Sequence, residues 1–205
     1  MPTNPDSRFR GVVVPMLTPV TADGAIDERG VLNLVDLLND AGVAGIFPLG
    51  TTGESSSVAQ ADKRKLIELV VDRNENRATV YAGISGNCYR ETIELARDAQ
   101  RLGAAAVVAH PPSYFPINDD EIEAFLQRLA DDTPLPLVLY NIPQTTRLNI
   151  PIKTVVKLST HANVVALKDS SPDAARIDEL LTTLGGRGGF PVLLGNSSLF
   201  THGLK

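Results

Sequence analysis

A single cysteine, Cys88, stands in the 205-residue sequence. An internal disulfide is therefore excluded, and so are the paired-cysteine spacings of zinc sites. Histidine is scarce as well: His110, His161 and His202 lie too far apart to form a local ligand motif. No metal or organic cofactor is expected, and the lone cysteine fits a reducing, cytoplasmic compartment. Basic residues are not in excess, since 19 Lys and Arg against 24 Asp and Glu leave a formal charge of -5. Without a basic cluster interleaved with aromatics, nucleic acid is not an expected partner. Long apolar runs are missing too. The stretch Val12 to Leu17 is far shorter than a bilayer span and is interrupted by Pro15, and the "MPTNPDSRFR" before it is polar, so no membrane association is expected.

Two motif families are also absent. There is no G-x-G-x-x-G in "PMLTPVTADG" after the first strand candidate and no G-x-x-x-x-G-K-[ST] anywhere. The serines at 55 to 57 lack a G-x-S-x-G frame, which disfavours an acyl-transfer hydrolase.

What remains is a composition of 43% hydrophobic and 21% charged residues, that of an ordinary globular protein. Short β-branched runs alternate with longer amphipathic segments, the pattern of parallel strands joined by crossover helices. The strand candidates are "GVVVPML", "VAGIFPLG", "ATVYAGIS", "AAAVVAH", "LPLVLYNI", "NVVALKD" and "FPVLLGN". Their nearly continuous apolarity suits strands covered on both faces. Val31, Leu34, Val35 and Leu38 form one helix stripe; Ile122, Phe125, Leu126 and Leu129 form a second, and Ile177, Leu180, Leu181 and Leu184 a third. Further helices are expected near 57–75, 89–102 and 151–160.

The strands recur at roughly 26 to 34 residues, the size of a strand-helix unit in a barrel or a doubly wound sheet. Lack of a phosphate-binding glycine turn and an even repeat favour an α/β fold of the TIM (β/α)8 type, with about seven strands in this chain. Residues 1–205 are expected to form a single barrel domain without the last helix, strand and helix, because the sequence runs "GNSSLFTHGLK" after the seventh strand.

In such a barrel the reactive groups stand at the C-terminal ends of strands. The second strand ends in "GTTGES", where Gly50 and Gly53 permit a tight turn and Thr51 and Thr52 add hydroxyls. This turn suits a carboxylate or phosphate, or else its threonines cap the helix expected next. The fourth ends in "AHPPSYFP". Tyr140 closes the fifth, as a proton-shuttling phenol or as a core tyrosine with a satisfied hydroxyl. Lys168 closes the sixth, in "VVALKDSSPD". It has either reached solvent or is held in an apolar pocket, where desolvation favours the neutral amine that attacks a carbonyl. Tyr140 and Lys168 on adjacent strands, with a carboxylate-binding turn elsewhere in the barrel, favour the second reading and a 2-oxo acid as substrate. Asp169, Ser170 and Ser171 read as turn and helix cap.

The ordered motifs "FRGVVVPMLTPV", "GIFPLGTTGES", "ETIELARDAQRLGAAAVVAHPPSYFP", "LYNIP" and "VVALKDSS" resemble the pyruvate-dependent class I aldolases and lyases typified by dihydrodipicolinate synthase and N-acetylneuraminate lyase. The resemblance implies a Schiff base at Lys168, a proton shuttle at Tyr140, Thr51 and Thr52 holding the substrate carboxylate and relaying protons to Tyr140, and Gly50, Gly53 and Gly195 at the substrate. It further implies that Tyr114 is lent to a neighbouring subunit's site in a homo-oligomer, a dimer or tetramer, and that pyruvate or another 2-oxo acid is the small-molecule partner.

Two departures bear on substrate. Thr145 stands where the synthases carry an arginine, with Arg147 two residues further on, and Ser197 and Ser198 replace the Asp-Glu pair of the sialate lyases. The expected reaction is retro-aldol cleavage of a 2-oxo-3-deoxy sugar acid or a 4-hydroxy-2-oxo acid. The alternatives are 4-hydroxy-tetrahydrodipicolinate synthesis and a truncated barrel that binds a 2-oxo acid without turnover.

Overall fold

The computed structural model describes residues 7–185 and 189–203. The polar opening segment 1–6 and the final two residues, on which the sequence raised expectations, lie outside them. The chain forms two compact units, one of residues 10–108 and 133–135, the other of residues up to Phe9, 109–132 and 136 onward.

In the first unit, strands β1 (Val13–Pro15), β2 (Gly45–Phe47), β3 (Thr79–Gly83) and β4 (Ala106–Ala109) pair in parallel and in chain order. Helices α1 (Glu28–Asp40), α2 (Gln60–Asn74) and α3 (Tyr89–Leu102) make the crossovers. Helix α1 starts where the Asp27 carboxylate accepts the Gly30 N–H at 3.0 Å, satisfying one of the N–H groups that a helix start leaves over. Its apolar stripe is inside: Val31, Val35 and Leu38 are buried and Leu34 is half-buried.

The second unit contains α4 (Asp119–Asp132), β5 (Leu137–Asn141), α5 (Pro143–Thr146), α6 (Ile152–Leu158), β6 (Val164–Asp169), α7 (Ala174–Gly185), β7 (Val192–Leu194) and α8 (Phe200–Gly203). Here β5, β6 and β7 pair in parallel, again in chain order. The α4 and α7 stripes are buried at Ile122, Leu126, Leu129, Ile177, Leu180 and Leu184.

All seven expected strands are present, each shorter than its apolar run. At β1 the reason is visible, since the flanking Val12 and Leu17 are 63% and 58% exposed and lie beyond the paired stretch. Parallel pairing in chain order with a helix between strands is the TIM (β/α)8-type fold, seven strands of it in this chain. A doubly wound sheet would reverse its strand order.

Candidate active site

The candidate site is built at the ends of β5 and β6. Leu137 pairs with Val164, but Val138 pairs with Ala166, so Val165 is an extra residue on β6. Beyond this bulge Tyr140 stands opposite Lys168 and Asn141 opposite Asp169. Had the first register continued, Leu167 would stand opposite Tyr140 and Lys168 would be turned to the other face. The bulge therefore makes phenol and amine neighbours on one face, the kind of re-aiming for which bulges recur beside active sites.

Tyr140 is buried, and the Lys168 Nζ lies 4.4 Å from its ring centroid. The ring face attracts an ammonium, yet burial dominates and lowers the Lys168 pKa from 10.5 to about 8. At pH 7 about one amine in ten is then neutral, roughly 300-fold more than for an unperturbed lysine. At the strand end the Lys168 side chain is half-buried and has not simply run out into solvent.

Asp169, the next residue, turns to the opposite face and is buried. One carboxylate oxygen accepts from Arg176 Nε at 2.9 Å and Asn141 Nδ2 at 3.1 Å, and the other from the Ser171 N–H at 2.9 Å. The turn role expected for Asp169 is thus present in the last of these bonds. The expected cap role is not: Asp173 takes it, accepting the Arg176 N–H at 3.1 Å at the start of α7. Asn141 also holds the chain that follows, accepting the Ile150 N–H at 2.9 Å. This network clamps the strand ends that carry Tyr140 and Lys168.

Gly195, beyond β7, donates its N–H to the Asp169 carbonyl at 2.7 Å. A Cβ there would collide with Ser170 Oγ and lie 3.1 Å from Lys168 Cε, so only glycine lets the chain pass beside the lysine stem.

His110 directly follows Ala109, the last residue of β4. Its ring centroid is 6.2 Å from that of Tyr140, with the planes at 59°. Burial lowers its pKa, against the opposing effect of a 2.7 Å contact from Nδ1 to the Pro111 carbonyl. Sequence reasoning used His110 only to dismiss a metal motif, and the signal that could have found it was its place in "AHPPSYFP", at a strand end. Arg176 and Asn141 were also missed, since helix interior and strand end give no hint of a shared carboxylate.

In the first unit, the Gly50 to Glu54 turn closes with Gly53 and Ser55 N–H groups on the Gly50 carbonyl at 3.1 and 3.4 Å. Gly53 is required, since a Cβ would stand 2.9 Å from the Met16 carbonyl oxygen. Thr51 and Thr52 are exposed. The helix-capping alternative for them fails. A short 3-10 turn, Ser55–Ser57, follows instead, and α2 begins only at Gln60, with Ala59 at its N-cap.

In the second unit Tyr114 is 86% exposed, packs edge-on against Phe115 and has φ of 85°. Thr145 is exposed in α5, bonded through Oγ1 to the Ile142 carbonyl at 3.3 Å, and Arg147 caps that helix in the left-handed conformation, also exposed. Among the described residues no group of three His, Cys, Asp or Glu could hold a metal ion, and no helix is long and apolar enough to cross a membrane.

The parallel strand-helix fold thus sets a partly desolvated lysine and a tyrosine at neighbouring strand ends. Residues 8–204 match the Dihydrodipicolinate synthetase family, and the chain belongs to that family. It is 34% identical over 93% of its length to the 4-hydroxy-tetrahydrodipicolinate synthase of Methanothrix thermoacetophila, and 40% identical over 80% of its length to that of Acidothermus cellulolyticus. It spans 64% and 54% of those two relatives' own lengths. The crystal structure of YagE, a prophage protein of the dihydrodipicolinic acid synthase family from E. coli K12 in complex with pyruvate, matches with a TM-score of 0.91 at 32% identity, covering 96% of this chain and 66% of that one.

Proposed function

We propose that this chain carries the amine and phenol of a pyruvate-dependent class I aldolase. The observation that carries the reading is Lys168, lowered to about 8 by burial and set opposite Tyr140. The neutral amine attacks C2 of a 2-oxo acid and the carbonyl oxygen leaves as water, giving a protonated imine. Loss of a C3 proton then forms an enamine, which adds to an aldehyde carbon. Tyr140 is suited to move the protons, and the imine nitrogen takes up the electrons, so neither metal nor organic cofactor is called for. In the same reading Thr51 and Thr52 seat the substrate carboxylate, Gly195 gives room at the lysine stem, and Tyr114 serves a second copy in a homo-oligomer; these roles rest on the family resemblance. A cytoplasmic setting belongs to it too, on the single cysteine.

The names of the relatives favour synthesis, condensation of pyruvate with aspartate semialdehyde, over the cleavage that the sequence had favoured. A second reading, retro-aldol cleavage of a 4-hydroxy-2-oxo acid, keeps one specific support: Thr145 offers a hydroxyl, not a guanidinium, where the synthases hold a second carboxylate. A reductase-coupled assay with pyruvate and aspartate semialdehyde separates them. Steady consumption of the reduced nucleotide is expected for synthesis. No consumption, together with pyruvate release from a 4-hydroxy-2-oxo acid, moves the assignment to cleavage.

A further inference from the structure

Asn141 is fully buried at the end of β5, and both ends of its side-chain amide are bonded. A backbone N–H only donates, so the 2.9 Å bond from Ile150 fixes Oδ1. Nδ2 is thereby turned to Asp169 Oδ2 and Asn149 Oδ1, both at 3.1 Å. The main-chain carbonyl of Asn141 accepts the Ser170 N–H at 2.9 Å. One residue thus ties the position after Tyr140 to the two positions after Lys168. A residue needed only to fill the end of a strand would be better served by an apolar side chain, since asparagine is depleted in strands and its amide is costly to bury.

The bulge gives that tie a task. The β5–β6 ladder changes register between Leu137 and Val138, and backbone N–H and C=O groups can pair on either side of such a change. Apolar alternation is a weak guide here, since β5 is buried at every position and the β6 neighbours Ala166 and Leu167 are both buried. The Asn141–Asp169 bond joins directly opposed residues, in the register that sets Tyr140 opposite Lys168. We infer that Asn141 is a positioning residue, which acts through Tyr140 and Lys168 by locking the register that makes phenol and amine neighbours. The inference rests on the imine reading and adds to it what keeps the reacting pair in place.

The test follows trapping by pyruvate and borohydride, read as mass added at Lys168, across pH. The 205-residue chain is used as wild type, Asn141→Leu, Asn141→Asp and Asp169→Asn. Leu removes every side-chain bond; Asp keeps the acceptor for Ile150 and loses the donor to Asp169. Without the lock the strand ends part and water reaches Lys168. The pH at which trapping levels is therefore expected to rise by about one pH unit in both Asn141 variants, which at pH 7 is about tenfold slower trapping. Asp169→Asn is the control for lost stability alone. Its one amide oxygen meets two donors, Arg176 and Asn141, on one side and only the Ser171 N–H on the other, so it keeps the cross-strand bond. Its levelling pH is expected to stay that of wild type although the chain melts earlier. An unshifted profile in both Asn141 variants, or a shift as large in Asp169→Asn, overturns the inference and leaves the imine reading intact. Where neither Asn141 variant folds, wild type decides: the Asn141 side-chain amide protons are expected to exchange far more slowly than those of exposed Asn149, and equal rates overturn the lock. Absence of any adduct on wild-type Lys168 overturns the imine reading first and this inference with it.

Discussion

Lys168 and Asp169 are adjacent on β6, one half-buried and one buried, and their polar groups are met in different ways. Asp169 is surrounded by donors, with Arg176, Asn141 and the Ser171 N–H all on its two oxygens. These bonds to one carboxylate hold two strand ends together. On the other face, Lys168 lies over the Tyr140 ring, and burial pushes its pKa down to about 8. One residue has its oxygens satisfied by donors and is structural. The other is pushed toward its neutral form, the form that the proposed imine chemistry needs. Because strand side chains alternate, a single step along the backbone carries the chain from clamp to the proposed nucleophile.

Substituting each member should break the comparison in a different observable. Lys168→Met is expected to abolish imine trapping, a loss of more than about 1000-fold, since no other group supplies the amine; mass spectrometry of the borohydride-reduced protein reads it. Asp169→Asn should act on stability instead, by about 3 to 5 kcal/mol in denaturant melts, because it leaves the Arg176 guanidinium buried without its counter-charge. Lys168→Met should have the reverse effect on stability, a gain of about 1 to 3 kcal/mol at pH 7. The sign follows from proton binding. Between about pH 8 and 10.5 the unfolded chain holds a proton on Lys168 that the folded chain has released, so wild-type stability rises with pH there and the penalty is full below about 8. The gain in Lys168→Met should therefore fade as pH approaches 10.5, which melts at pH 7 and pH 10 compare.

The smallest expected effect is at Gly195. Gly195→Ala places a methyl against Ser170 Oγ and the Lys168 stem, and trapping is expected to slow about tenfold with little change in the melting midpoint. A large loss of stability instead would mean that Gly195 supports the Asp169 side of the comparison, to which its N–H is bonded.

Strands, helices and fold class were legible because apolar runs and helix stripes are local signals that core packing reinforces. Lys168 and Tyr140 were legible from their positions at run ends. Their pairing was not, since it depends on the extra residue Val165, and nothing in "NVVALKD" marks where the ladder shifts. The clamp was equally hidden. Asp169 and Arg176 lie seven positions apart across a strand-to-helix turn, and Asn141 belongs to another strand, so only the folded chain brings them to one carboxylate. At the threonine turn the capping alternative failed for a related reason. Helix capping was weighed on the assumption that a helix begins at once, whereas the chain first makes a 3-10 turn and α2 starts at Gln60.

Trapping with pyruvate and borohydride across pH tests the central claim, that burial turns Lys168 into the nucleophile. The account predicts one reduced adduct, at Lys168, whose rate of formation climbs toward about pH 8 and then levels as the amine becomes fully neutral. An adduct on another lysine, or a rate still rising tenfold per unit between pH 8 and 10 as for an ordinary exposed amine, would contradict it.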